Sequence, residues 1–133
     1  MKTHYLLSLI ISLVLWSCGT NIESKNITGN WSVISFKADM PELNSQIIKL
    51  GEKEALSSHY VFREDYSFQM KSAIFPEGIE GKWEIDQESN SLILNGDTKP
   101  QIQKIIFLDS RQMQWIQTID SLGTIKTSLE RTQ

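Results

Sequence analysis

The chain has few of the residues that usually carry covalent or metal chemistry. In 133 residues there is one cysteine and there are two histidines, His4 and His59. A single Cys closes no intrachain disulfide, so the fold must be held by its core alone. A zinc site needs three or four converging N, S or O ligands, and no carboxylates cluster at ligand spacing here, so neither a metal nor a cofactor is expected. Basic residues are also scarce: 13 Lys and Arg against 16 Asp and Glu leave a net charge of −3. Nothing resembles a basic stripe, which argues against nucleic acid, whose binding depends on clustered Lys and Arg. No G-x-S-x-G, phosphate loop or dinucleotide fingerprint is present. Glu84 and Asp86 share one face of a strand, opposite Trp83 and Ile85, so that face is expected in solvent rather than in a cleft. The chain is therefore not expected to be an enzyme.

Long apolar runs are absent too. The longest, Tyr5 to Trp16, follows the basic start Met1-Lys2-Thr3-His4. As a helix it would span roughly 18 Å at ~1.5 Å per residue, against about 30 Å of bilayer hydrocarbon. That length suits the apolar region of an export signal. The run ends in Leu15-Trp16-Ser17-Cys18-Gly19, which resembles the lipobox of bacterial lipoproteins, with Trp16 where that family usually has a small residue. The resemblance implies cleavage before Cys18, a diacylglyceryl thioether on its sulfur, and acylation of the new amine by a palmitate-type chain. The membrane partner would be held through acylated Cys18. With Gly19 following, and no retention aspartate, the expected place is the cell envelope, on the outer membrane. Loss of Lys2 with the leader gives a mature chain of −4. The expected division is a signal peptide at 1–17, a lipidated polar tether at 18–28 and a β-domain at 29–133.

What the mature chain does have is alternation with a period of two, the mark of half-buried strands. The expected strands begin with Asn30–Phe36. His59–Arg63 and Tyr66–Lys71 form a hairpin around Glu64-Asp65. Gly81–Asp86 and Ser91–Asn95 are joined by a turn at Gln87–Asn90. Ile102–Leu108, Gln112–Ile119 and Thr124–Arg131 complete the set. About eight short strands joined by tight turns predict an all-β fold, an antiparallel up-and-down meander barrel, whose closure removes exposed edges. One segment departs from this rhythm. Leu43, Ile47 and Leu50 recur at helical spacing, so a short helix is expected in the first long connection, starting at Pro41, ending near Gly51, and burying that stripe over a barrel end.

Gly29-Asn30-Trp31 resembles the G-x-W that opens the first strand of lipocalins. In that family the Trp closes one barrel end and an Arg from the last strand packs across its indole, which implies that Gly29, Trp31 and Arg131 form this structural motif. The T-D-Y motif of typical lipocalins is absent, and Leu108-Asp109-Ser110 stands near its place. The order of the hairpin Tyr60–Phe68, then Gly81-Lys82-Trp83-Glu84-Ile85, then Leu92-Ile93-Leu94 resembles the lipocalin-like domains of Bacteroidetes-type, calycin-like envelope lipoproteins.

Alternation assigns the interior strand by strand: Trp31 and Val33; Tyr60 and Phe62; Phe68 and Met70; Trp83 and Ile85; Leu92 and Leu94; Ile106; Met113, Trp115 and Ile119. Ile125 and Leu129 face in from the last strand. Ile34, Phe36, Ile105, Phe107 and Ile116 fall on opposite faces, where they mark a surface for an envelope protein partner or pack under the helix. An interior this rich in aromatics and Met suits a small, largely apolar ligand, for which Tyr60, Phe68, Met70, Trp83, Trp115 and Gln117 are the candidate contacts. It equally suits a filled core, which would make the protein a non-enzymatic structural or protein-interaction lipoprotein.

Overall fold

The computed structural model describes residues 21–132. The signal peptide expected at 1–17 and the acylation expected at Cys18 lie outside the described residues. Eight strands follow one another: β1 (Gly29–Asp39), β2 (His59–Phe62), β3 (Ser67–Lys71), β4 (Ile79–Asp86), β5 (Ser91–Asn95), β6 (Gln101–Leu108), β7 (Gln112–Ile119) and β8 (Gly123–Thr132). Each pairs antiparallel with the next, and β8 returns to β1, closing the barrel in sequence order. The closing seam is long, running from Asn30 opposite Thr132 to Asp39 opposite Thr124. This is the all-β, up-and-down architecture that the period-two pattern predicts.

The two ends of the barrel differ. At one end lie the start of β1 and the β2–β3, β4–β5 and β6–β7 turns; Trp31, Phe62, Trp83, Leu92, Met113 and Leu129 fill it and are wholly buried. All three predicted core indoles, Trp31, Trp83 and Trp115, belong to this single cluster. Burying a side chain of this size contributes roughly 1.5–3 kcal/mol, so these few residues outweigh any surface interaction. Two of the indole nitrogens find partners in place: Trp31 Nε1 donates to the Ile27 carbonyl at 2.8 Å and Trp83 Nε1 to that of Arg63 at 3.2 Å.

The segment read as a polar tether is partly built into the barrel. Ile27 is wholly buried and Ile22 packs against the core. Ser24–Asn26 form a short 3-10 turn. Gln87 clasps the Ile22 backbone from both sides, accepting from its N–H at 3.1 Å and donating to its carbonyl at 2.6 Å. Two isolated apolar side chains in a polar stretch give no periodic signal, so this packing was invisible to alternation.

The first connection holds α1 (Ser45–Leu56). Its bounds correct the expected ones. The cap is Asn44, whose side chain accepts from Gln46 N at 2.7 Å, and Pro41 lies in the turn before it. Gly51 sits mid-helix, where a Cβ would touch the Phe36 ring at 3.8 Å. The packed face is therefore Ile48, Gly51 and Ala55. The stripe of Ile47 and Leu50 expected to be buried is 54% and 68% exposed.

Two β-bulges shift the inward face. In β1 the register against β8 slips between Val33 and Ser35. An extra residue reverses which side chains point inward, so Phe36, expected outside, lies opposite the buried Thr127 and turns toward the barrel mouth. In β6 the slip falls between Ile105 and Phe107. Ile105, expected outside, is buried at 8% exposure, and Ile106, expected inside, is 43% exposed. Tyr66 also leaves the alternation: it occupies the hairpin turn at φ 65° and lays its ring against Trp83 at 4.9 Å.

Candidate functional site

The closed end is capped by one side chain. The Arg131 guanidinium lies over the Trp31 ring, 4.3 Å from its centroid. It also donates to three backbone carbonyls: Nε to Ser110 at 2.9 Å, Nη2 to Asn26 at 2.9 Å and Nη1 to Thr28. A planar fork with five donors suits such a task where a lysine would not. Gly29, at φ +127°, leaves space that a Cβ would take from Arg131 Nη1. Gly29, Trp31 and Arg131 thus meet, and they form a structural plug rather than a binding site.

The opposite half contains a cavity of about 420 Å³. Tyr60, Phe68, Met70, Ile79 and Leu94 line it from four strands, and Phe75 from the β3–β4 loop. Glu80, Asp97, Thr98, Lys99 and Gln101 give it a polar rim. It exists because β4 and β5 part company. Their last pair is Lys82 with Asn95, whereas β4 continues against β3 through Gly81, Glu80 and Ile79. At Gly81, just beyond the last pair, the strands are still in close approach: a Cβ there would run into the Asn95 carbonyl oxygen and come within 2.8 Å of the Phe68 ring.

The loop over the cavity is held by α1. Ala73 N donates to Ser57 Oγ at 2.9 Å and Ile74 N to the Glu54 carboxylate at 3.1 Å. Within the loop, Ser72 N donates to the Phe75 carbonyl at 3.2 Å and Phe75 N to Ser72 Oγ at 3.3 Å. These bonds carry the half-exposed Phe75 ring to the cavity edge. The helix end therefore positions a lining residue without itself touching the void.

Of the six residues predicted to contact a ligand, Tyr60, Phe68 and Met70 line the cavity. Trp115 stands behind Tyr60, edge to face at 5.5 Å. Trp83 belongs to the closed half, packed against Phe62 and Tyr66. Gln117 faces Gln103, whose Nε2 donates to it at 3.5 Å. Tyr60 is stacked on Phe62 with ring centroids 5.7 Å apart, and burial pushes its phenol pKa up to about 12, so it is neutral at any physiological pH. The lining residues that alternation missed include Phe75, Ile79 and Gln101. Phe75 sits in a loop, Ile79 precedes the recognised strand, and the β6 bulge disguises the inward parity of Gln101.

The other sequence candidates lie elsewhere. Asp86 caps the β4–β5 turn, accepting from Glu88 N at 3.1 Å and Ser89 Oγ at 3.0 Å, while Glu84 is exposed. His59 Nδ1 pairs with Ser32 Oγ at 2.8 Å in an exposed position. Among the described residues, no three His, Cys, Asp or Glu side chains are placed to share a metal ion.

No family model matches the chain, and no curated protein matches it. Solved structures do. A DUF4847 family protein from Bacteroides vulgatus superposes with a TM-score of 0.51 at 15% identity, over 80% of this chain and 94% of that one. The bovine odorant binding protein, in complex with a selenium-containing odorant, gives a TM-score of 0.44 at 11% identity, over 86% of this chain and 75% of that one. The first likeness, at so low an identity, concerns the fold. The closed, eight-stranded up-and-down barrel is established by the strand order itself.

Proposed function

We propose that this protein is a lipid-anchored envelope lipoprotein whose barrel holds one small, largely apolar molecule. The observation that carries this reading is the cavity. Its volume of about 420 Å³ falls in the range of small-molecule sites, and aromatic and aliphatic side chains line it under a tied-down loop. The tether joins the closed end, where Gln87 holds Ile22. From Cys18 to Ile22 the chain reaches at most ~14 Å, at ~3.5 Å per residue. Acylation of Cys18 would thus keep the plugged end near the bilayer and turn the mouth away from it. The ligand would then be collected from the aqueous side or from a partner, rather than from the anchoring leaflet.

Two experiments test the two halves of the proposal. Labelling cells with an alkynyl palmitate should tag the wild type, with the label in the outer-membrane fraction, and should miss Cys18→Ser; equal labelling of both would refute the anchor. Native mass spectrometry of protein from its own host should show a bound small molecule that Met70→Trp, which fills the cavity, excludes. A wild type that is always ligand-free, and whose Trp115 emission does not respond to medium-chain alcohols, would refute the binding role. The second reading, a protein-interaction lipoprotein, draws on the outer wall. There Ile102, Ile106 and Phe107 on β6 are 57%, 43% and 44% exposed, more apolar surface than one strand usually shows to water. In-cell crosslinking from Phe107 would capture a defined envelope partner on that reading.

A further inference from the structure

Among the described residues, one polar group of the cavity lining is set inside its mouth. Glu80, Asp97, Thr98, Lys99 and Gln101 are all exposed, where water serves them. Tyr60 is not. It pairs with Met70 across β2 and β3, and both line the void. Phe62 stacks on its ring at 5.7 Å and Trp115 meets it edge to face at 5.5 Å, so the phenol is fixed in place. Burial alone pushes the phenol up to about 12, with neither a hydrogen bond nor a charge contributing. Yet the hydroxyl is not sealed off. The buried polar atom left without a partner among the described residues is Gln103 Oε1, not the Tyr60 oxygen, and Tyr60 keeps part of its surface accessible where it borders the void. An O–H deep in a protein without a partner is costly, and this one opens onto space that a guest can enter.

We propose that the Tyr60 hydroxyl is the hydrogen-bond donor of the ligand site, so that the molecule taken into the barrel is neutral and carries a carbonyl acceptor, a ketone or an ester, on an apolar body. The proposal rests on the cavity reading above and assigns the ligand's chemistry. A phenol can donate and accept, but it donates more strongly, because its ring draws on the oxygen lone pair. The apolar body of the guest lies among Phe68, Met70, Ile79 and Leu94, which line the same cavity. An ionised carboxylate also accepts, but a buried charge needs a compensating partner. No charged group acts on the Tyr60 hydroxyl, and Lys99 stands at the exposed rim. A fatty-acid anion is therefore a poor match for this interior, and a methyl ketone or a methyl ester fits.

The test compares 2-octanone with 2-methyl-1-octene, by calorimetry on protein purified from its own host and freed of small molecules. The two probes have the same shape and number of heavy atoms, and only the ketone accepts a hydrogen bond. Tyr60→Phe keeps the ring and removes the donor. It is expected to weaken the ketone by about fivefold, the contribution of one hydrogen bond, and to leave the alkene unchanged. A second readout needs no variant. The carbonyl stretch of the ketone bound to the wild type should lie at lower wavenumber than in hexane, and Tyr60→Phe should return it toward the hexane position. If the substitution changes both probes alike or neither, or if the bound carbonyl absorbs as it does in hexane, the proposal falls while the cavity reading stands. If neither probe binds the wild type, the cavity reading itself falls and the proposal with it.

Discussion

Arg131→Ala should be the most damaging single change outside the apolar core, and its size follows from the geometry of the closed end. The guanidinium donates to the carbonyls of Ser110, Thr28 and Asn26 and covers the Trp31 ring at 4.3 Å. Hydrogen bonds from a charged donor contribute about 1.5–3 kcal/mol each when buried, and stacking on the indole about 1 kcal/mol. The carbonyls freed by truncation are near the surface and regain water, so the contributions do not add in full. A loss of about 3 kcal/mol is expected. For a domain of this size, at about 4 °C per kcal/mol, the melting temperature should fall by roughly 12 °C. Urea denaturation with an unchanged m-value would report the same loss. Arg131→Lys keeps the charge without the fork and should recover less than half of it. A double-mutant cycle with Trp31→Leu isolates the stacking. Octanol binding should persist at temperatures where the variant is folded, because the cavity lies at the other end. A loss below about 1 kcal/mol would refute the plug argument, since that is what a surface ion pair achieves.

Other outcomes follow from individual contacts. Gly81→Ala sets a Cβ against the Asn95 carbonyl and the Phe68 ring; it should cost about 1–3 kcal/mol by overpacking and weaken ligand binding, both read from denaturation with and without octanol. Tyr60 is held neutral by burial up to a pKa of about 12. The unfolded phenol ionises near 10, so the stability from Tyr60 is complete below that pH and drains away as pH rises toward 12. Tyr60→Phe should flatten this alkaline limb in pH-dependent unfolding. Asp65 is lowered below the ordinary carboxylate range first by its bonds from the Ser67 hydroxyl and backbone, and Asp109 by backbone bonds from Arg111 and Gln112. Each therefore adds stability that is present above the normal aspartate pKa and lost as acid protonates the folded form. Asp65→Ala with Asp109→Ala should shrink the acid-induced drop, and an unaltered profile would dismiss both turns as pH-sensitive elements.

Much of the architecture was legible because strand formation here is locally consistent. Gly81–Asp86 alternates cleanly, Ser91–Asn95 and Gln112–Ile119 do so in part, and in the structure the residues read as inward, Trp83, Leu92, Leu94, Met113 and Trp115, are all buried. The pairing of Arg131 with Trp31 was accessible only through resemblance, because their contact spans the whole length of the barrel domain. The candidate site was half legible. Tyr60, Phe68 and Met70 obey the alternation, whereas Phe75 lies in a loop and the inward parity of Gln101 is disguised by a bulge.

Sequence alone determined the number and order of strands and the aromatic interior. Each of these rests on local spacing, and side-chain direction along a strand repeats every two residues whatever its neighbours do. Tertiary structure alone decided which side of β6 faces in, which face of α1 meets the barrel, and where the interior stays open. Those outcomes depend on bulges and on the parting of β4 from β5, which arise when eight strands must close on one another, and no single segment carries that information.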